Sequence, residues 1–292
     1  MPGWDLLTGG LGSVLNFFYS ILPAGIGSPR YGIAIIMLTL AVSLLMFPLT
    51  VKQTRSMKAM QEIQPEVKKL QKEFKDDRQE LNAKLMELYQ ERGVNPAAGC
   101  LPMLVQMPIW FALFSVLRVS REDIVAGNTG PIPAGSKLAE ALKEGMTNFL
   151  GMDLQIRPSE AAGNGIVQLI PYLILILIVV AAGYYQSMQT MKRRKDDVST
   201  NTPQQQSMQN AMRFLPILFG VFSWNFPTGL VLYFATSNIF RVGQQAYTLG
   251  LDSGVATEVS TKTSVVEVDP KPISSGPSPN ASKKKRNRRR RK

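Results

Sequence analysis

The chain of 292 residues contains no histidine and a single cysteine, Cys100. The missing histidine removes the commonest general base, the usual zinc ligand and the Ser-His-Asp triad in one step. One cysteine excludes an intrachain disulfide, and Cys100 reads as a small buried residue rather than a reactive thiol. There is no phosphate loop, no metal-ligand cluster and no carboxylate pair inside an apolar stretch. The chain is therefore expected to be neither an enzyme nor the holder of a cofactor or metal.

Charge is missing from four long stretches. Tyr31–Val51, Pro96–Leu117, Gly165–Met191 and Phe214–Phe240 hold no Asp, Glu, Lys or Arg. A helix needs about 20 mostly apolar residues to cross a bilayer, so each is a candidate span. The fourth is interrupted by Trp224-Asn225-Phe226-Pro227-Thr228-Gly229. Pro227 lacks an N–H and Gly229 is a breaker, which favours a turn between two helices. The fold class is thus all-α, a polytopic membrane protein of five spans. Their expected limits are 31–51, 96–118, 165–191, 207–224 and 228–247.

Loop charge orients these spans, because cytoplasmic loops collect Lys and Arg. Before the first span the only basic residue is Arg30, whereas 52–95 carries Lys52, Arg55, Lys58, Lys68, Lys69, Lys72, Lys75, Arg78, Lys84 and Arg92. Segment 119–164 has more acidic than basic residues. Lys192-Arg193-Arg194-Lys195 opens the next loop, 192–206. The N-terminus is then outside and the C-terminus cytoplasmic in a multi-pass bacterial cell (inner) membrane protein. Residues 1–30 have no basic region of a secretory signal. Phe17, Phe18, Tyr19, Ile21 and Leu22 suggest an amphipathic helix on the outer surface, the competing reading being an unstructured extension.

In 52–95, Met57, Met60, Ile63, Val67, Leu70 and Phe74 recur at helical spacing, as do Leu81, Leu85 and Leu88. Asp76-Asp77 breaks the pattern and can cap a second helix, Gly93 can end it, and Pro65 marks a kink or fresh start near Gln64. The segment reads as a cytoplasmic helical hairpin, either a docking surface or a rigid spacer. Residues 248–292 are poor in large apolar side chains and are expected to be disordered. They end in Lys283, Lys284, Lys285, Arg286, Arg288, Arg289, Arg290, Arg291 and Lys292, interrupted only by Asn287. Such a run binds phosphate polymers without sequence preference. Ribosomal RNA is the expected partner, and anionic membrane lipid the competing one.

Three stretches resemble a known family. Phe47-Pro48-Leu49-Thr50-Val51-Lys52-Gln53-Thr54-Arg55-Ser56-Met57 leaves the first span. Gly93-Val94-Asn95-Pro96-Ala97-Ala98-Gly99-Cys100-Leu101-Pro102-Met103-Leu104-Val105-Gln106-Met107-Pro108-Ile109-Trp110 opens the second. Asn225-Phe226-Pro227-Thr228-Gly229-Leu230-Val231-Leu232-Tyr233 joins the last two. In this order they resemble the YidC family of membrane protein insertases, which includes the mitochondrial Oxa and thylakoid Albino proteins. The resemblance covers roughly residues 15 to 247 and looks like the short five-span form, without the large periplasmic domain. It implies a chaperone-like insertase that holds nascent membrane proteins in a hydrophilic groove open to cytosol and lipid, closed outside. It further implies work alone or beside the Sec translocon, with the ribosome and signal recognition machinery as partners.

Many members of that family carry an arginine five residues before the proline that matches Pro48; here the position is Ser43. A groove in this chain would then be lined by neutral polar groups: Thr39 and Ser43, Gln106, Ser223, and Thr236, Ser237 and Asn238. The competing reading for these residues is hydrogen bonding between helices. Phe222, Tyr233 and Phe234 match aromatic positions that touch clients in relatives, or else are packed or lipid-facing rings. The fourteen methionines offer an adaptable apolar surface or ordinary core and lipid contact. The alternative function from composition is a transporter or channel-like protein with a ribosome- or lipid-binding tail. Ion-coupled transport, however, places ionisable residues within the bilayer and uses internal repeats, and neither is evident.

Overall fold

A computed structural model describes residues 2–95, 101–192 and 214–262. The expectations for Pro96–Cys100, for 193–213 with the start of the fourth span, and for the basic tail Lys283–Lys292 lie outside the described residues. The chain divides into two units, Met1–Thr248 and Leu249–Lys292. Every contact below lies within the first.

Helix α1 spans Pro2–Ile21, α2 Arg30–Glu62, α3 Gln64–Glu73, α4 Arg78–Glu91 and α5 Leu101–Leu117. Segment 118–165 contributes three short helices, α6 (Arg121–Val125), α7 (Lys137–Glu144) and α8 (Pro158–Ala161). Between α7 and α8 lies a two-stranded antiparallel pair, β1 (Asn148–Phe149) and β2 (Met152–Asp153). Helix α9 spans Ile166–Lys192, α10 covers the described Phe214–Ser223, and α11 spans Thr228–Lys262. The β pair aside, the described fold is helical, as the apolar periodicity implied. Its two-residue turn puts both Leu150 (φ 52°) and Gly151 (φ 83°) in the left-handed region, the demand of a tight hairpin.

Among the described residues, two helical segments, Arg30–Thr54 and Ile166–Gln189, are long and apolar enough to cross a membrane; Leu104–Leu117 and Phe214–Ser223 are shorter apolar helices. Their outward faces carry exposed Leu44, Leu45, Leu104, Leu177, Leu218 and Val221. A belt this apolar is unfavourable in water and natural against lipid.

Helix α2 runs eleven residues beyond Val51, the expected end of the first span. Nothing between Val51 and Glu62 breaks the helix, and the change is only in polarity. Pro65 is then spent at the start of α3, where its missing N–H is not needed. Asp77 caps α4 by accepting from the Gln79 and Glu80 amides at 3.0 Å each. Gly93 (φ 62°) ends α4 in a Schellman arrangement: its amide donates to Gln90, and that of Val94 to Tyr89. Ile63, Val67 and Leu88 are buried between α3 and α4, flanked by Met60, Leu70, Leu85, Tyr89 and Val94. Helix α11 likewise continues to Lys262, past Thr248 where the disordered tail was expected to begin.

The main core is concentrated at one end of the bundle. In α2 it takes Tyr31, Ala34, Ile35 and Leu38; in α5, Leu113, Val116 and Leu117; in α11, Leu230, Val231 and Tyr233. Helix α1 adds Leu15 and Tyr19, and α7 adds Leu138 and Leu142. Arg30 ties α1 down, donating to the Tyr19 carbonyl at 2.9 Å while its guanidinium sits 4.3 Å from the Tyr19 ring centre. The amphipathic α1 expected on the outer surface is thus a helix whose Thr8, Leu15 and Tyr19 stripe is buried and whose Leu6, Phe17 and Ile21 are exposed.

Candidate functional site

Burial falls off sharply along the bundle. From Leu40 to Lys52 no residue of α2 is fully buried, and the same holds for α11 from Asn238 to Tyr247. The helices that pack tightly at the Tyr31 end therefore part at the other, and the gap between them is where polar side chains gather. On α2 the stripe Ser43, Met46 and Thr50 faces it; on α11, Tyr233, Ser237, Arg241 and Gln244 do; Gln106 enters from α5. The spacing of each stripe is that of one helix face. Together they close a cavity of about 30 Å³, room for a water molecule or two. Across it Gln106 Nε2 donates to Tyr233 Oη at 3.0 Å.

Beside the cavity lies an aromatic cluster. Trp110 of α5 stacks on Phe234 of α11 (6.5 Å, 30°) and meets Phe226 edge-on (6.3 Å). Phe219 of α10 meets Phe234 edge-on at 5.8 Å, and Phe222 stacks on Phe226 at 6.4 Å. Helix α10 exposes nearly all its large residues, Phe222 and Phe219 among them, and buries only Gly220 and Ser223. Gly220 is small because a Cβ there would overlap the Val180 side chain of α9.

The turn between α10 and α11 is held by the backbone of 154–159. The Thr228 amide donates to Ile156 and that of Gly229 to Leu154 at 2.8 Å, while Ser159 donates to Trp224. A Cβ on Gly229 would stand 3.2 Å from Ile35 and 3.3 Å from the Leu154 carbonyl, tight on both sides. At that same end, α1, segment 118–160 and this turn surround an open cavity of about 1620 Å³. Arg118, Arg121 and Arg157 share its walls with Asp5, Glu122, Asp123, Glu144, Asp153 and Glu160.

The residues read as groove polar groups divide into three sets. Ser43, Gln106 and Ser237 line the cavity. Thr39, Ser223 and Thr236 donate to carbonyls of their own helices, at Ile35 (2.7 Å), Phe219 (2.8 Å) and Leu232 (2.9 Å); Thr39 and Ser223 are fully buried. Asn238 reaches across to the Val179 carbonyl of α9 at 3.4 Å. Of the three aromatic positions, Phe222 is exposed, Phe234 is half-buried in the cluster, and Tyr233 is buried against Gln106. Two residues escaped the sequence reading. Trp110 is the hub of the cluster, and its place within a quoted motif was the available signal. Arg241 was read only as the limit of the uncharged stretch Phe214–Phe240, although it lies eight residues after Tyr233 and so on its face.

A family model described as the 60 kDa inner membrane protein matches residues 22–252. The chain belongs to this family, that of YidC and Oxa. The membrane protein insertase YidC of Fusobacterium nucleatum is 36% identical over 218 residues, 75% of this chain and 85% of that relative. The YidC insertase of Streptomyces avermitilis is 33% identical over 225 residues, 75% of this chain and 51% of the relative. That of Magnetococcus marinus is 34% identical over 246 residues, 84% of this chain but 36% of the relative. The chain thus spans about a third to a half of the longer YidC relatives and most of the Fusobacterium one.

Proposed function

We propose that the chain is a membrane protein insertase of the YidC type. It has five spans, lies in the bacterial cell membrane with the N-terminus outside and the C-terminus in the cytosol, and carries the α3–α4 hairpin as a cytosolic projection. The observation that carries this reading is the joining of a polar cavity to an exposed apolar helix. Ser43, Gln106 and Ser237 line the first, and Leu215, Leu218, Phe219 and Phe222 present the second.

The work done is physical rather than covalent. An unpaired polar group in hydrocarbon costs several kcal/mol. A client segment whose polar end rests against Gln106 and Ser237 while its apolar side lies along α10 avoids much of that cost. The core around Tyr31, Leu113 and Leu230 keeps the opposite end closed, so the segment leaves sideways into lipid. Clients are nascent membrane proteins, delivered with or without the Sec translocon. The tail 283–292 supplies contact with ribosomal RNA.

The test is reconstitution of the purified protein in liposomes, with a small client synthesised on ribosomes and its insertion scored by protease protection. The reading requires protection above that of empty liposomes, and crosslinks from positions 43, 106 and 237 to the client. Protection equal to empty liposomes would reject it. Deleting 283–292 should weaken ribosome co-sedimentation with these liposomes if the tail binds RNA.

A further inference from the structure

The indole Nε1 of Trp110 is buried and has no hydrogen-bond acceptor among the described residues. The rings around it are Phe111, Phe114, Phe226 and Phe234, with centroids 4.6–6.5 Å away. Buried donors in native proteins nearly always have a partner, so an indole N–H left without one calls for a reason. Packing alone does not supply it, since a ring without an N–H packs as well in apolar surroundings. The faces of the neighbouring rings accept only weakly.

The place of Trp110 along its helix supplies one. Gln106, Trp110 and Phe114 recur at intervals of four along one side of α5, and Arg118 continues the line past its end. Gln106 lines the small polar cavity at the loosely packed end. Phe114 and Arg118 line the large open cavity at the other end, as does Phe226, and the Arg118 guanidinium lies 5.9 Å from the Phe114 ring centre. The line borders the core without entering it: Leu113, Val116 and Leu117 are buried, whereas Gln106, Trp110 and Phe114 are half-buried. Trp110 thus stands midway between two polar cavities, on a row of α5 side chains that reaches both.

We propose that Trp110 is the hydrogen-bond donor met by the polar tail of a client as it crosses from the inner cavity to the outer one, and that its partner is a backbone carbonyl of that tail. The apolar span of a client is helical and bonds its carbonyls internally. An extended tail carries an unbonded carbonyl at every residue, and each is costly between the two cavities. Of the rings joined in this cluster, Tyr233 is engaged by Gln106 and Ser237, which leaves the Trp110 N–H as the unspent donor. A bond to the peptide group is indifferent to sequence, so one residue serves tails of different composition. The inference rests on the insertase reading above and adds to it a residue and a chemistry of recognition.

The experiment uses the full chain with Trp110 replaced by 3-benzothienylalanine, in which sulfur takes the place of the indole N–H and the ring keeps its size. The liposomes are of ether-linked phospholipid, which brings no ester carbonyl to compete as acceptor. Two clients share one apolar span; one has a long uncharged polar tail to translocate and the other has none. The quantity read is the ratio of their insertion rates above empty liposomes, long-tailed over tailless. The analogue should lower this ratio about fivefold, the loss expected of one hydrogen bond to a neutral acceptor. Its unfolding temperature in detergent should stay equal or rise, because the substitution removes a buried donor that has no partner. Trp110→Phe, which also lacks the donor, should lower the ratio at least as far, and it decides by the same criterion should the analogue protein fail to fold. A ratio unchanged by the analogue overturns the proposal, even where both clients slow together, since Trp110 is then a packing residue of the cluster. If neither client is inserted by the unaltered protein, the insertase reading itself fails and this inference with it.

Discussion

Gln106 and Tyr233 are hydrogen-bonded side chain to side chain, Nε2 to Oη at 3.0 Å, across 127 positions of sequence. The bond joins α5 to α11 just where the tightly packed end of the bundle gives way to the polar cavity. Tyr233 is almost fully buried, and besides Gln106 its hydroxyl has Ser237, one turn on, as a partner. Tyr233→Phe leaves the Gln106 amide facing a ring edge and should cost about 1–3 kcal/mol. The double variant Gln106→Leu, Tyr233→Phe removes both polar groups and should regain most of that loss. Thermal unfolding in detergent measures both, and a double variant less stable than Tyr233→Phe would show that the bond does not set the local stability.

Two glycines of α1 respond to the same substitution with opposite signs. A Cβ at Gly12 would overlap the Pro131 carbonyl, backbone that has no freedom to move aside, whereas Gly10 faces open space. Gly12→Ala should destabilise by about 1–3 kcal/mol through overpacking. Gly10→Ala should stabilise by about 0.5–1 kcal/mol by reducing the freedom of the unfolded chain. Equal effects at the two sites would mean that α1 does not dock against the 129–133 segment.

In the hairpin, a cap should outweigh an ion pair. Asp77 satisfies two amides at the start of α4, and Asp77→Ala should cost about 1 kcal/mol of local stability. Arg92 meets Glu66 at 2.5 Å, but both side chains are well exposed, and Glu66→Gln should change stability by about 0–1 kcal/mol. Hydrogen exchange of the α4 amides reads both, and a larger loss from Glu66→Gln would reverse the ranking.

The capping box of α6 carries a pH dependence. Asp123 accepts from the Ser120 hydroxyl at 2.8 Å and from the Ser120 amide at 3.1 Å, and these bonds hold its carboxyl below the usual carboxylate range. A carboxylate with a lowered folded-state pKa stabilises the fold above its unfolded value and loses that contribution as pH falls through the folded one. Amide protection in 121–125 should therefore be constant at neutral pH and decline only below about pH 4. Ser120→Ala should lower protection at neutral pH and flatten the decline. An undiminished decline in Ser120→Ala would assign the titration to another group.

Much of this architecture was legible beforehand because it depends on local chemistry. The apolar stretch of α9 is long enough to be a helix whatever surrounds it. The Pro227–Gly229 break separates α10 from α11, and Gly93 adopts the left-handed conformation that only glycine takes cheaply. The signals for α6 and α7 were also present, as Ser120 three residues before Asp123 and Ser136 as a cap. Segment 119–164 was nonetheless read as a plain loop, because helices this short show too little period to stand out. Helices α2 and α11 run past the expected limits of their spans for a different reason. A change from apolar to charged residues marks a boundary of solvent, and a helix continues through it when nothing in the backbone chemistry interrupts it.

What the amino-acid sequence determined by itself is the set of apolar helices, their breaks and caps, and the family to which the chain belongs. These follow from hydropathy, proline, glycine and short-range hydrogen bonds. Only the tertiary structure decided which polar residues share one cavity. Thr39 and Ser43 are four residues apart on α2, yet one is sealed against its own backbone and the other faces Arg241 across a gap. The difference arises because the helices pack closely at one end and part at the other, and the distance between two helices is a property of all the side chains between them.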